Sequence, residues 1–277
     1  MMNSSIREFL KASLSEDIGH GDVTSELIVG AVMSGADIIA KENFVLAGMP
    51  FVKDLFDILG GGTGISIFIE EGVKVNKGDV IASVTGSAKV LLAGERTALN
   101  ILQHLSGIAT ATAGFVEKVR GLPVKVVDTR KTVPGMRVLE KYAVTVGGGS
   151  NHRFGLFDGV LIKDNHISIA GGVREAISLA KKAPHLLKIE IEVKDMDELI
   201  QAVDAGADVI MLDNMAVAEM KKAVAAARSR NSRIVLEASG NVNLDNIRDI
   251  AETGVDLISV GAITHSARAV DISMKIS

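Results

Sequence analysis

The sequence contains no cysteine. Disulfide bonds, thiolate metal sites and a cysteine nucleophile are therefore excluded. Aromatic residues make up only 3% of the chain although 47% of its residues are hydrophobic, so Ala, Val, Ile and Leu must fill the core. Small branched side chains of this kind suit parallel strands that are buried on both faces.

Long apolar runs and an excess of positive charge are also missing. No stretch approaches the roughly 18 apolar residues that span a bilayer, and the N-terminal segment MMNSSIREFLKASLSEDIG has no apolar signal core. We therefore expect a cytoplasmic protein without a membrane partner. The net charge of −4 argues against a general nucleic-acid binder, and it makes any local cluster of cations more informative.

The pattern of the chain changes near residue 120. Before that point, short strands are predicted at residues 36–41 and 65–70 and on both sides of the Asn-Lys-Gly turn within 70–84. Apolar residues then recur at spacings of three, four and seven, which predicts a long helix over 95–119. Gly107 and Gly114 lie inside this helix and are expected to bend or break it.

After residue 120, short apolar runs alternate with helical segments. The runs lie at 124–127, 159–162, 188–191, 209–212, 234–236 and 257–260, and the later helices at 173–182, 196–204, 216–228 and 244–252. Repeated strand–helix units imply a parallel sheet with right-handed crossovers. Six runs favour a complete or reduced barrel over a doubly wound open sheet. No Gly-x-Gly-x-x-Gly follows the strands, which weakens a dinucleotide-binding interpretation.

Almost every apolar run ends in charged or small polar residues. These residues are Asp128, Thr129, Arg130, Lys131, Lys163, Asp164, Asn165, His166, Glu192, Asp213, Asn214, Glu237, Ser239, Gly240, Asn241 and Gly261. In a barrel all of them lie at the C-terminal face, where barrel enzymes place their chemistry. We therefore expect the six strand ends to form one functional site.

The charges at this face divide into two groups. Cations are supplied by Arg130, Lys131 and Lys163, with Arg153 nearby, and carboxylates by Glu192 and Asp213. The segment Ser239-Gly240-Asn241 precedes a helix predicted from about Leu244, and N–H groups near a helix N-terminus favour a phosphate. These features predict a polyanionic substrate, an optional divalent metal and a separate phosphate anchor.

Two other classes of protein stay open at this point. Lys163 alone would suit a Schiff-base aldolase. The stretch EEGVKVNKGDVIASV (70–84) is similar to hairpins of biotinyl-type domains, which would fit a non-catalytic binding protein, although it has no Lys-bearing turn flanked by Met. The clustered arginines and the phosphate anchor favour a transferase.

Longer motifs carry a family resemblance. They are EDIGHGDVTS (16–25), GERTALNILQHLSGIAT (94–110), DTRKTVPGMR (128–137), GGGSNHRFGLFDGVLIKDNH (147–166), IEIEV (189–193), IMLDN (210–214), LEASGN (236–241) and SVGAITHS (259–266). Together they resemble the quinolinate phosphoribosyltransferases, also called nicotinate-nucleotide pyrophosphorylases. The match runs nearly from end to end.

This resemblance implies an α/β fold with an N-terminal α/β sandwich domain and a seven-stranded α/β barrel. We place the sandwich at residues 1–110, with 265–277 returning to it, and the barrel at 111–264. The implied reaction joins quinolinate to phosphoribosyl pyrophosphate with Mg²⁺ and yields nicotinate mononucleotide, pyrophosphate and carbon dioxide for NAD biosynthesis. A related pyrophosphorylase-like protein of molybdenum-transport operons is the alternative.

The resemblance also implies roles for individual residues. In a homodimer or larger oligomer such as a hexamer, Arg96 would complete the site of the neighbouring subunit. The family's pocket for quinolinate carboxylates and nearby phosphates corresponds to Thr129, Arg130, Lys131, His152, Arg153 and Lys163. Glu192 and Asp213 correspond to its ribose- and metal-facing acids, acting on the metal directly or through the substrate, and both count with Lys131 as catalytic. The phosphate-binding positions correspond to Ser239, Gly240, Asn241, Gly261 and His265.

Overall fold

The computed structural model describes residues 4–277. Its elements, in chain order, are α1 (Ser4–Ile18), α2 (Val23–Ile28), β1 (Met33–Ala40), β2 (Phe44–Val45), α3 (Met49–Leu59), β3 (Gly64–Ile67), β4 (Lys74–Val75), β5 (Val80–Ser87), α4 (Ala88–Lys118), β6 (Lys125–Val127), α5 (Arg137–Val146), β7 (Val160–Ile162), α6 (Asp164–Ala170), α7 (Val173–Ala180), β8 (Ile189–Val193), α8 (Met196–Ala205), β9 (Val209–Asp213), α9 (Val217–Arg230), β10 (Val235–Ser239), α10 (Ile247–Ala251), β11 (Leu257–Ser259), α11 (Ala262–His265) and β12 (Ile272–Ile276). No helix within residues 4–277 is both long and apolar enough to cross a membrane.

The described chain divides into two compact units. The first contains the residues up to Ala113 together with 132–148 and 266–277, and the second contains 114–131 and 149–265. The segment 132–148, which the sequence-based boundaries assign to the barrel, thus packs within the first unit. Its helix α5 is strongly amphipathic and buries Leu139, Ala143 and Val144 there.

The first unit is built on an antiparallel sheet. The strand order is β12-β1-β5-β3, and the last strand of the chain pairs with β1 along Ile272–Ile276. The two strands predicted around the Asn-Lys-Gly turn both exist, but they do not form a hairpin ladder, because β4 pairs with β2 whereas β5 pairs with β1 and β3. The similarity of this stretch to biotinyl-type hairpins is therefore superficial.

The long helix α4 is continuous over 31 residues, so the expected break at its glycines is wrong. Position 107 requires glycine for a steric reason, since a Cβ atom there would overlap the main-chain carbonyl oxygen of Arg268. The absence of a side chain lets the returning C-terminal segment pass close to the helix backbone.

The second unit contains a parallel sheet in the order β6-β11-β10-β9-β8-β7. All six strands coincide with the six predicted apolar runs, and Ile191, Ile210, Leu236 and Ile258 are fully buried. The seventh strand that the resemblance implies is reduced to one parallel bridge between Val127 and Ser150. The local sequence GGGSN explains the reduction, because glycine and asparagine are poor strand formers.

Helices α7, α8, α9 and α10 follow the strands as the alternating pattern predicts. Asp195 caps α8 by accepting a hydrogen bond from the Glu198 amide at 2.9 Å, and Gly206 ends the same helix in the left-handed conformation. Helix α10 begins at Ile247 instead of near Leu244. The Asn243 side chain accepts hydrogen bonds from the Asp245 and Asn246 amides, and this turn delays the start of the helix.

Candidate functional site

A cavity of about 800 Å³ lies at the carboxyl ends of the parallel strands. Its walls belong entirely to the second unit. The predicted site residues that line it are Thr129, Arg130, Lys131, His152, Arg153, Lys163, Glu192, Asp213, Ser239, Gly240, Asn241, Gly261 and His265. Arg96, the remaining predicted residue, lies exposed on α4 in the first unit. Parallel strands bring their carboxyl ends together, which explains how distant segments meet here.

Two arginines form the most cationic part of the cavity. Burial lowers the pKa of Arg153, and the positive charge of Arg130 lowers it further. One terminal nitrogen of Arg153 donates to the Gly159 carbonyl at 3.0 Å, whereas its Nε–H is buried and has no hydrogen-bond partner within the described chain. Two neighbouring guanidinium groups with an unused buried donor favour an anionic ligand that accepts several hydrogen bonds.

Lys163 and Glu192 form an ion pair across adjacent strands. Strands β7 and β8 pair in register, with Ile162 opposite Ile191, so the residues that follow also lie side by side. Lys163 Nζ is 2.6 Å from Glu192 Oε1. An ammonium group held by a carboxylate is not a free amine nucleophile, which disfavours the aldolase interpretation.

The ends of β9 and β10 form a tight polar turn. Asn214 and Asn241 both adopt the left-handed backbone conformation, and Asn241 Nδ2 donates to Asn214 Oδ1 at 3.0 Å. Gly240, which directly precedes Asn241, has a φ of 97°, and any Cβ atom there would overlap the Asn214 amide group. The turn therefore requires glycine at position 240 and presents backbone close to any ligand in the cavity.

The loop after β6 is joined to the loop after β11. Thr264 Oγ1 donates to the Lys131 carbonyl at 2.8 Å, and the Lys131 amide donates to Thr129 Oγ1 at 3.1 Å. A Cβ atom at Gly261 would lie 3.2 Å from the His265 ring and 3.3 Å from Lys131 Cδ. Glycine at this position thus lets the two basic side chains approach the same loop.

Sequence reasoning missed several residues of the cavity wall. They are Leu161, Met211, Val242, Ser259 and Ala262. Glu190, which is 8% exposed and lies close to the fully buried Glu237, was also missed. A carboxylate inside an otherwise apolar strand, as in IEIEV, is the signal that could have revealed Glu190, because burying a charge requires a compensating partner.

His152 is bonded within the protein at both ring nitrogens. Its Nδ1 accepts a hydrogen bond from the Arg153 amide at 2.8 Å, and its Nε2 lies 3.0 Å from Glu190 Oε2 and 3.5 Å from Glu237 Oε2. The ligand atoms of these three residues lie within 4.8 Å of one another, a spacing that a metal ion could also use. Burial, and then the charge of Glu190, raise the pKa of Glu237 to about 7, while His152 opposes the shift.

Family models match both parts of the chain. The model described as quinolinate phosphoribosyl transferase, N-terminal domain, matches residues 22–106. The model described as quinolinate phosphoribosyl transferase, C-terminal domain, matches residues 108–275. Between them the two models cover most of the sequence.

Individual relatives and solved structures agree with the family models. A Bacillus subtilis protein named probable nicotinate-nucleotide pyrophosphorylase (carboxylating) is 42% identical and covers 100% of this chain and 95% of its own. A Nicotiana tabacum protein named quinolinate phosphoribosyltransferase (decarboxylating) 2b, mitochondrial, is 39% identical over 98% of this chain and 82% of its own. The crystal structure of the Ehrlichia chaffeensis nicotinate-nucleotide pyrophosphorylase superposes with a TM-score of 0.94 at 40% identity over 100% of both chains.

Proposed function

The chain belongs to the quinolinate phosphoribosyltransferase family, and we propose that the cavity of the second unit is where its reaction takes place. The enzyme transfers a phosphoribosyl group to quinolinate with decarboxylation, in line with the names of its relatives, and the phosphoribosyl donor is phosphoribosyl pyrophosphate. It is a pentosyltransferase of NAD biosynthesis. No relative described above bears the name of a molybdenum-transport protein, and nothing supports that alternative.

The arginine pair is the observation that carries the assignment of the quinolinate position. Quinolinate bears two adjacent carboxylates, and a guanidinium group binds a carboxylate through two parallel hydrogen bonds. The buried Nε–H of Arg153 lacks a partner among the described residues, and a substrate carboxylate would supply one. Arg130 is close enough to influence Arg153 electrostatically, so both guanidinium groups can bind the same quinolinate dianion.

Other residues of the cavity wall suit phosphoribosyl pyrophosphate. We assign the phosphate groups to Lys131, His265 and the glycine-containing backbone at Ser239-Gly240-Asn241 and Gly261, all of which line the cavity. Helix α10 begins six residues after Asn241, so we assign the hydrogen-bond donors for this phosphate to the backbone of the turn itself.

Magnesium fits the carboxylates of this site best as part of the substrate. Mg²⁺ prefers oxygen ligands, keeps several waters and commonly reaches proteins through one or two carboxylates and the substrate's phosphates. Glu192 is already paired with Lys163 at 2.6 Å, which favours indirect contacts. The metal would neutralise the charge that grows on the departing pyrophosphate.

The remaining chemistry follows from positioning. The ring nitrogen of quinolinate forms a bond to the anomeric carbon while the bond from that carbon to pyrophosphate breaks. Positive charge develops on the ribose, and the carboxylates of Glu192 and Asp213 can stabilise it, whereas Lys131 stabilises the leaving group. The alkylated pyridinium then loses the carboxylate next to nitrogen as carbon dioxide, and the resulting carbanion takes up a proton.

The assembly and location of the enzyme are part of the same proposal. We assign Arg96 to the active site of a neighbouring subunit in a homodimer or larger oligomer, as the family resemblance implies. Its exposure on α4 leaves the guanidinium accessible to a second chain. A cytoplasmic location is an expectation from the sequence alone.

The deciding experiment is an assay with phosphoribosyl pyrophosphate and Mg²⁺ that compares quinolinate with nicotinate. We expect quinolinate-dependent nicotinate mononucleotide and an equal amount of carbon dioxide. Turnover of nicotinate alone would keep the transferase class and overturn the substrate. A folded protein that turns over neither compound would refute the proposed function.

A further inference from the structure

Two buried glutamates lie beside His152, and one of them, Glu237, is part of the cavity wall. Glu190 on β8 and Glu237 on β10 come from alternate strands of the parallel sheet, and alternate strands of a barrel fill the same interior layer. Glu237 is fully buried and Glu190 is 8% exposed. The reaction described above uses neither residue.

The hydrogen bonds of His152 determine its tautomer. Because the Arg153 amide donates to Nδ1 at 2.8 Å, that nitrogen carries a lone pair and no proton. A neutral imidazole then carries its proton on Nε2, which donates to Glu190 Oε2 at 3.0 Å. The ring is thus fixed from both sides and its Nε2–H is directed at the carboxylate pair.

The two carboxylates have more acceptor oxygens than donors around them. Glu190 Oε1 and both carboxylate oxygens of Glu237 are buried without a hydrogen-bond partner within the described chain. Two ionised carboxylates cannot bond to each other, because both are acceptors only. A single shared proton allows a hydrogen bond between them, because a protonated Glu237 donates to Glu190. The same proton removes one of two like charges from a buried site. The raised pKa of Glu237 has the same physical cause.

We infer that Glu190 and Glu237 share one proton and act together as a positioning pair that holds His152 in its Nε2–H tautomer and thereby fixes the backbone of Arg153 beneath the quinolinate site. Glu190 accepts the histidine proton and Glu237 supplies a hydrogen bond to Glu190. The ring in turn accepts the Arg153 amide, while the His152 amide donates to Asp128 Oδ1 at 2.8 Å. The inference rests on the proposed function only for its kinetic consequence.

A divalent metal at the same three residues is the competing occupant. Histidine binds a metal through an unprotonated nitrogen, and His152 Nε2 must carry a proton as long as Nδ1 accepts the Arg153 amide. The hydrogen bond at Nδ1 therefore favours a proton over a metal ion in this cluster.

Replacements of Glu237 distinguish these arrangements. Glu237→Gln retains a donor for Glu190, so we expect kcat/KM for quinolinate to stay within about 3-fold of the wild-type value. Glu237→Leu removes the donor at similar size, and we expect KM for quinolinate to rise about 10-fold or more with a smaller change in kcat, since one hydrogen bond to a charged group is lost. Equal impairment of both variants would overturn the shared proton.

Two further measurements do not depend on turnover. The first is nitrogen-15 NMR of labelled histidine, in which the His152 signal is assigned by its loss in His152→Asn. We expect the Nε2–H tautomer of His152 in the wild type and in Glu237→Gln. In Glu237→Leu we expect the His152 signal to change. Metal analysis of purified protein should find no stoichiometric divalent metal, and a metal bound in the wild type but lost in Glu237→Gln would refute the inference. If the wild type fails to turn over quinolinate, the proposed function fails, whereas these two measurements still test the pair.

Discussion

The ammonium group of Lys163 lies 2.6 Å from the carboxylate of Glu192 because their strands pair in register at the mouth of the cavity. The Lys163 side chain is 46% exposed and that of Glu192 is 17% exposed, so the pair is accessible to a substrate. Each residue limits the charge that the other presents to the anionic ligands.

This geometry predicts strong coupling between the two residues. Lys163→Met and Glu192→Gln should each lower kcat/KM by about 10-fold or more, and the double variant should resemble the worse single variant, because a broken pair leaves one partner unbalanced. A double-mutant cycle on kcat/KM measures the coupling. The exposed pair Arg174–Asp204 on the same unit provides a matched control, for which Arg174→Met and Asp204→Asn should leave activity unchanged. Additive effects at 163 and 192 would contradict the prediction.

The arginine pair predicts a selective loss of quinolinate binding. Arg130→Ala should raise KM for quinolinate and lower kcat/KM by roughly 30- to 150-fold, which corresponds to about 2–3 kcal/mol for a charged hydrogen bond. Steady-state kinetics at saturating phosphoribosyl pyrophosphate tests this expectation. Arg174→Ala, at an exposed arginine, serves as the control, and unchanged kinetics in Arg130→Ala would remove Arg130 from the site.

The proposed contribution of Arg96 to a neighbouring subunit predicts complementation. Arg96→Ala and Lys131→Ala should each be inactive alone, and a mixed oligomer should recover part of the activity because some sites then contain both wild-type residues. The measurement is turnover after the two proteins are unfolded together and refolded, with mixing verified by differential tags. Verified mixed oligomers without activity would argue against a shared site.

Two of the three glycines in α4, Gly107 and Gly114, predict opposite effects on stability. Gly107→Ala should lower the free energy of unfolding by about 1–3 kcal/mol, because the new methyl group would overlap the Arg268 carbonyl. Gly114→Ala is the matched control, since its nearest neighbour would be Leu244 Cδ2 at 3.9 Å. Alanine is the better helix former by up to about 1 kcal/mol, so this variant should be as stable as the wild type or more so. Urea denaturation of both proteins compares them directly.

Glu237 predicts a pH dependence of stability with a definite sign. Its pKa is raised from 4.5 to about 7 in the folded protein, so the folded state keeps a proton that the unfolded state releases between these values. The wild type should therefore lose stability relative to Glu237→Gln as the pH rises from about 4.5 to 7, by about 3 kcal/mol in total, with no further change above that window. Denaturation of both proteins from pH 4 to 8 tests this, and a constant difference would contradict it.

Local patterns in the sequence determined much of this protein. Apolar runs predicted all six parallel strands, and the polar residues at their ends predicted which side chains would meet, because strand direction alone places carboxyl ends together. Long motifs identified the family that the comparisons show. These signals succeed because they depend on neighbouring residues and on one general rule of parallel sheets.

Other features depend on contacts that are distant in sequence, and only the tertiary structure decided them. The requirement for glycine at position 107 of α4 follows from the close approach of the Arg268 carbonyl, more than 150 residues away. Glu190 and Glu237 both approach His152 because they lie on alternate strands of the sheet, and the tautomer of His152 follows from one backbone hydrogen bond. The structural role of a glycine within a helix, or of a glutamate inside an apolar strand, depends on the atoms that folding places beside it.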